Sequence, residues 1–198
     1  MTIELNNARR RQSGFSLIEV LVSVVVFSIG MLGVAGLNAF SKRATFESVQ
    51  RAQASELGYA LLEMLRANKA GLQTYLAAGT LGRGSRGSEP APHCDTVGAT
   101  CTATQLATHD LWAWERMLDT GLESAGGNST GGLVQASACI TGPPPATAGD
   151  VTVVVVWRGV TDLTDSGLSP CGAGIGLYGP GDDMRRMVIN QSYIDPNS

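Results

Sequence analysis

The fold is decided by one stretch near the start of the chain, Arg9-Arg-Arg-Gln-Ser-Gly-Phe-Ser-Leu-Ile-Glu19, which leads into the apolar run Val20–Phe40. No side chain between Val20 and Leu37 is ionisable. At about 1.5 Å per residue, these positions make a helix about as long as a thin bilayer core. We therefore expect a membrane-spanning helix. Glu19 needs a positively charged partner, because inserting a carboxylate into lipid costs about 2.5–3.5 kcal/mol.

The residues before the run do not form an ordinary secretory signal. Such a signal has an apolar region of about 7–15 residues, followed by a cleavage site of small residues. Here the apolar run is longer, three arginines flank it, and the small residue at its boundary is Gly14, in front of it. Cleavage between Gly14 and Phe15 would keep the helix and create a new amine at Phe15. That amine and Glu19 carry opposite charges that could pair between neighbouring subunits.

The motif Gly14-Phe-Ser-Leu-Ile-Glu-Val-Leu21 resembles the type III signal of type IV prepilins and pseudopilins. The resemblance implies removal of residues 1–14 by a prepilin peptidase, N-methylation of Phe15, and a membrane helix that later forms the core of a filament. It also implies that Glu19 pairs with the N-terminal amine of an adjacent subunit. Many major pilins carry a proline within this helix, whereas this chain has Gly30, Gly33 and Gly36.

Length and charge limit what else the chain can be. The net charge is −3, and residues 1–14 contribute +2 of it, so the remaining side chains sum to −5. No basic surface for nucleic acid remains. We predict a cleaved leader at 1–14, a transmembrane or filament-core helix at 15–40, the amphipathic half of the long helix at 41–78, and a periplasmic globular domain at 79–198.

The second half of the long helix is expected to pack on the globular domain. The helix should run to Asn68, and the stretch Asn68–Gly71 supplies a stop. Its apolar residues recur at three- and four-residue steps, which predicts a buried stripe. The stripe consists of Phe46, Val49, Leu57, Ala60, Leu61, Met64 and Leu65.

Residues 79–92 are rich in glycine and proline and are predicted to be a linker. Within them, Gly82-Arg-Gly-Ser-Arg-Gly87 spells the G-x-G-x-x-G pattern of dinucleotide-binding proteins. The pattern indicates only a loop here, because no strand precedes it and no helix opens from it. Thr104–Leu118 has the periodicity of a second helix.

The remainder of the chain predicts a sheet. Leu133–Ile140, Val151–Trp157 and Met187–Ile194 are candidate strands, and the β-branched run at 151–157 should be the central one. Residues 166–183 are rich in glycine and proline, which predicts a long surface loop.

The four cysteines form an even set that would face the periplasm, where disulfides persist. Four cysteines allow three connectivities, and the sequence does not choose among them. We favour a short loop closed by Cys94 and Cys101, and a bridge from Cys139 to Cys171. His93 and His109 lie nearby, but the C-x-x-C and H-x-x-x-H spacings of zinc modules are absent, so we expect no metal and no cofactor.

Three further segments extend the resemblance to minor pilins of the PilV type: Leu61–Asn68, the Cys94/Cys101 pair ahead of Ala107–Trp112, and the valine-rich strand ending at Trp157. The resemblance implies an α+β pilin fold, with the long helix packed on a small antiparallel sheet. It implies a role in priming type IV pilus assembly at or near the tip. The implied partners are other minor pilins, the major pilin, prepilin peptidase, the inner-membrane assembly platform and a tip adhesin.

The expected location is the bacterial inner membrane, crossed once with the C-terminal domain in the periplasm, and then the pilus. Two alternatives stay open: a minor pseudopilin of a type II secretion system, and an anchored periplasmic binding domain that is never assembled. Catalysis is not expected, because no nucleophile accompanies either histidine and Asp182-Asp183 lie in a glycine-rich loop. Asn128-Ser-Thr130 and Asn190-Gln-Ser192 match glycosylation acceptors at a frequency near chance.

Overall fold

The computed structural model describes residues 14–120, 123–125, 128–163 and 167–197, of which 123–125 and 128–131 are described by their backbone alone. The predicted leader before Gly14 lies outside these residues, and so does the Asn128 side chain. The chain forms two compact units: the first ends at Ala44 and the second begins at Thr45.

Helix α1 spans Leu17–Ala67, a length of 51 residues, which confirms the predicted long helix. Residues 68–78 do not continue it. They form a 3₁₀ turn, Lys69–Gly71, and a short helix α2, Leu72–Leu76. The helix ends because Asn68 leaves helical geometry, with φ −121° and ψ 59°, and its side-chain amide donates instead to the carbonyl of Ala103 at 2.8 Å.

One face of α1 is buried, beginning at Gln50. The predicted stripe is correct at Leu57, Leu61 and Leu65, which are at most 2% exposed. It is wrong at Phe46 and Val49, which are 44% and 49% exposed, because the packed core under the helix begins only at Gln50. The buried residues of α1 are Gln50, Ala54, Leu57, Gly58, Leu61, Leu62 and Leu65.

The main sheet consists of β1 (Thr80–Leu81), β4 (Ser137–Thr141), β5 (Gly149–Arg158) and β6 (Arg185–Ile194). These four strands are antiparallel and lie in the order β1-β4-β5-β6. Strands β2 (Glu123–Ala125) and β3 (Asn128–Gly131) pair separately. A long N-terminal helix packed on a four-stranded antiparallel sheet confirms the predicted α+β fold.

Strand boundaries differ from the prediction in two places. Residues 133–136 do not join β4, because Gln135 adopts a left-handed φ of 51° that a strand cannot accommodate. The predicted linker contains β1, which pairs with β4 so that Thr80 lies opposite Cys139.

Strand β5 is an inner strand, as predicted, and both of its faces are buried, which explains its run of valines. Val151, Val153, Val155 and Trp157 pack in the main core. Val154 and Val156 pack on the other face, against Cys171 and Tyr178. The loop around residues 167–184 is therefore only partly a surface loop, because these two side chains cover the second face of the sheet.

Helix α3, Ala103–Thr120, confirms the second predicted helix. Its buried side chains Leu111, Trp114 and Leu118 belong to the main core with those of α1. The indole Nε1–H of Trp114 donates to the carbonyl of Leu57 at 2.9 Å, which fixes the two helices to each other.

Candidate functional site

The first described residues form the start of α1. Gly14, Phe15 and Ser16 precede the helix, and the carbonyl of Ser16 accepts hydrogen bonds from the N–H groups of Glu19 (3.0 Å) and Val20 (3.3 Å). Glu19 therefore lies in the first turn, where the helix dipole favours a carboxylate. Both Phe15 and Glu19 are exposed, and they line one groove on the helix surface together with Val20, Ser23, Val24 and Phe27.

Every residue from Gly14 to Ala44 is exposed. Among the described residues, α1 alone is long and apolar enough to cross a membrane. Such a continuous apolar surface does not remain in water and requires lipid or other apolar helices around it. Three glycines of this segment, Gly30, Gly33 and Gly36, have open space where a Cβ would lie.

Two carboxylates of α3 hold the glycine-rich loop at residues 82–86. Glu115 accepts hydrogen bonds from the N–H groups of Gly82 (2.6 Å), Ser85 (3.0 Å) and Arg86 (2.7 Å), and from the Ser85 hydroxyl. Asp119, one turn further along the helix, accepts those of Arg83 and Gly84 at 2.7 and 2.8 Å.

The backbone of this loop is shaped for that contact. Gly82, Arg83 and Gly84 have left-handed φ values of 111°, 63° and 69°, which point successive N–H groups towards one side. Such an array binds anions, and here the anions belong to the protein itself. The G-x-G-x-x-G segment is therefore a loop, as predicted, and its amides are occupied by the carboxylates of α3.

The structure contains the bridges Cys94–Cys101 and Cys139–Cys171, which is the favoured one of the three connectivities. The first closes a loop just before α3. The second joins β4 to the loop that covers the second face of β5. No cysteine of the chain remains free.

Four titratable side chains meet beside the first bridge. The Nε2 atom of His109 lies 3.6 Å from Glu89 Oε1 and 3.6 Å from Asp95 Oδ1. The Nδ1 atom of His93 lies 2.7 Å from the same Glu89 oxygen. The ligand atoms of Glu89, Asp95 and His109 all lie within 4.8 Å of one another.

The structure also shows the surroundings of two other residues that the sequence analysis considered, Asn190 and Asp182. Asn190 is buried, with 4% of its surface exposed, so it does not offer an accessible glycosylation acceptor. Asp182 accepts a hydrogen bond from the Gly174 N–H at 2.8 Å and thereby holds its own loop.

Two family models match the chain and together cover just over half of it. Residues 9–35 match the prokaryotic N-terminal methylation motif. Residues 37–112 match the model described as Type IV pilin Tt1218. The chain belongs to the type IV pilin family. No curated protein and no solved structure matches the pilin.

Family membership accounts for the N-terminal features of the pilin. Its methylation motif is that of pilins processed by prepilin peptidase, and its apolar helix fits a membrane-anchored subunit. Type IV pilins are structural proteins that associate with other pilus components.

Gly14, Phe15 and Glu19 lie together at the start of α1, as their spacing in the sequence requires. Cleavage after Gly14, methylation of Phe15 and pairing of Glu19 stay predictions. Glu115 and Glu89 were missed. Glu115 lies 33 positions after Gly82, and no pattern in the sequence indicates that α3 contacts the glycine-rich loop.

Proposed function

We propose that this pilin is a minor pilin of the PilV type that takes part in priming type IV pilus assembly at or near the pilus tip. The proposal includes cleavage of the leader 1–14 before Phe15, N-methylation of Phe15, and use of residues 15–40 first as a membrane span and then as filament core. Its proposed partners are other minor pilins, the major pilin, the inner-membrane assembly platform and a tip adhesin.

One observation carries the assembly mechanism: Glu19 is the single carboxylate at the start of a helix segment that is uncharged up to Ser41 and exposed throughout. Burying that segment among like helices removes its apolar surface from lipid but leaves Glu19 in a medium of low dielectric constant. The amine of a neighbouring Phe15 neutralises the carboxylate there. A subunit in the correct axial register makes the pair, whereas a subunit in another register leaves both charges unpaired.

The experiment compares Glu19→Gln with Glu56→Gln in the native host. Glu56 is an exposed acid of the same helix, outside its apolar segment, so it serves as a matched control. We expect both variants to be processed, the control to enter sheared pili normally, and the Glu19 variant to be poorly incorporated. Normal incorporation of Glu19→Gln would remove the mechanism.

Mass spectrometry of the isolated protein tests the processing step separately. The expected N-terminal residue is N-methylated Phe15. An N-terminus at Met1 would contradict the proposal and favour an anchored binding domain that is never assembled.

A deletion strain separates the pilus from the secretion alternative. Loss of surface pili with secretion intact is expected for a minor pilin. Loss of type II secretion with pili intact would instead identify a minor pseudopilin.

A further inference from the structure

We propose that Glu89, Asp95 and His109 bind one divalent transition-metal ion, with Zn²⁺ as the representative of the class. The inference is independent of the proposed role in pilus assembly. The three ligands come from two parts of the second unit: Glu89 and Asp95 lie on either side of Cys94, and His109 lies in α3.

The central observation is the state of His109. The residue is 6% exposed, and its Nε2 atom is buried with no hydrogen-bond partner among the described residues. A buried polar nitrogen without a partner is costly. This nitrogen points at two carboxylate oxygens, each 3.6 Å away, which is too far for a hydrogen bond.

These separations suit ligands around a metal ion. Zinc lies about 2.0–2.2 Å from nitrogen and oxygen ligands, so two ligands of a tetrahedral site are about 3.4 Å apart. Both nitrogen–oxygen distances, 3.6 Å each, are therefore already close to that spacing, and all three ligand atoms lie within 4.8 Å of one another. Small movements of Glu89 and Asp95 complete the approach, because both residues are exposed.

The donor set selects the class of metal. One imidazole nitrogen with two carboxylate oxygens suits zinc and neighbouring transition metals, whereas Ca²⁺ and Mg²⁺ prefer oxygen ligands throughout. All four cysteines are bridged, so no thiolate competes for the ion. Three protein ligands leave the fourth position of a tetrahedral site to water or another external ligand.

His93 completes the arrangement as a positioning residue. Its Nδ1 lies 2.7 Å from the Glu89 oxygen that also faces His109. A hydrogen bond from His93 orients that carboxylate in the way that outer partners commonly orient metal ligands. The bound ion would join the loop closed by Cys94 and Cys101 to α3, which the disulfide alone does not do.

Isothermal titration calorimetry of the untagged, metal-stripped mature chain in detergent micelles tests the site. We expect one Zn²⁺ per chain and no binding of Ca²⁺ at the same concentrations. Asp95→Asn and Glu89→Gln should weaken Zn²⁺ binding at least as much as loss of an outer-shell partner does, about 10-fold or more. His93→Gln should weaken it by about 10–100-fold.

Asp150→Asn is the matched control, because Asp150 is an exposed aspartate of β5 outside the cluster. It should leave Zn²⁺ affinity unchanged. A melting temperature that Zn²⁺ raises in the wild type and in Asp150→Asn, but not in Asp95→Asn, is the second expected readout. Absence of Zn²⁺ binding, equal effects of Asp95→Asn and Asp150→Asn, or a preference for Ca²⁺ would each overturn the proposal.

Discussion

The carboxylate of Glu115 accepts a hydrogen bond from the N–H of Gly82, 2.6 Å away, although 33 positions separate the two residues in sequence. This contact places a side chain of α3 at the start of the glycine-rich loop, immediately after β1. The loop is consequently a fixed part of the second unit rather than a connecting tether.

Replacing Glu115 with Gln should destabilise the protein by about 1–3 kcal/mol, because half of the amide is a donor and cannot accept the N–H groups that face it. The matched comparison is Asp119→Asn. Asp119 is exposed and accepts two backbone hydrogen bonds, so its replacement should cost about 1 kcal/mol or less. Urea unfolding in detergent, monitored by tryptophan fluorescence, measures the free energy of unfolding of both variants. If Asp119→Asn lowered the free energy of unfolding more than Glu115→Gln, the prediction would be contradicted.

The hydrogen bonds to Glu115 also predict that the stability of the fold depends on pH. Burial alone would raise the pKa of Glu115, but hydrogen bonds from the Ser85 hydroxyl and from the N–H groups of Arg86, Gly82 and Ser85 outweigh it and lower the pKa below its usual 4.5. A carboxylate with a lowered pKa in the folded state stabilises the fold above its unfolded pKa. That stabilisation is lost as the pH falls through the pKa that Glu115 has in the folded state.

We therefore expect the stability difference between wild type and Glu115→Gln to be constant near neutral pH and to shrink below the ordinary pKa of 4.5. Unfolding free energies of both proteins, measured from pH 7 downwards, test this. Subtracting one profile from the other removes the contributions of all other carboxylates. A difference that stays constant throughout the acid range would refute the prediction.

A third prediction concerns the contact between α1 and β6. A Cβ on Gly58 would lie 2.3 Å from Oδ1 and 2.9 Å from Cγ of Asn190, which is itself buried. Gly58→Ala should destabilise the protein by about 1–3 kcal/mol through this clash, in spite of the better helix propensity of alanine. Adding Asn190→Ala should recover stability relative to the single variant, since it removes the obstructing atoms. A double variant no more stable than Gly58→Ala would exclude the clash as the cause.

The two disulfides should contribute unequally. Their cysteines are 32 positions apart in the Cys139–Cys171 bridge and 7 apart in the Cys94–Cys101 bridge. Loop-closure entropy then predicts a loss of about 4 kcal/mol for the Cys139→Ala/Cys171→Ala pair and about 2 kcal/mol for the Cys94→Ala/Cys101→Ala pair. Chemical denaturation of the two double variants gives the comparison, and a larger loss from the shorter loop would contradict it.

The sequence predicted those features that depend on neighbouring residues. The apolar run beginning at Val20 and the valine run at 151–156 have lengths and periodicities that define α1 and β5 before any contact is known. The place where α1 becomes buried could not be predicted. Phe46 and Gln50 lie one turn apart, and only the position of the sheet decides that the glutamine, rather than the phenylalanine, is covered.

The side-chain cluster was beyond sequence reasoning for a similar reason. Glu89 and His109 are 20 positions apart in no recognisable motif, and a disulfide and a helix together bring them close. Contacts between a loop and a helix depend on tertiary packing, which local patterns do not encode.

The carboxylates of Glu115 and Asp119 also keep outside anions away from the glycine-rich loop. Because they are attached to the same chain, they reach the loop amides at an effective concentration in the millimolar range or above. A phosphate or nucleotide would have to displace this intramolecular ligand before it could dock. The carboxylates of α3 thus occupy the loop amides, and the glycine spacing serves a contact within the protein rather than the binding of a small molecule.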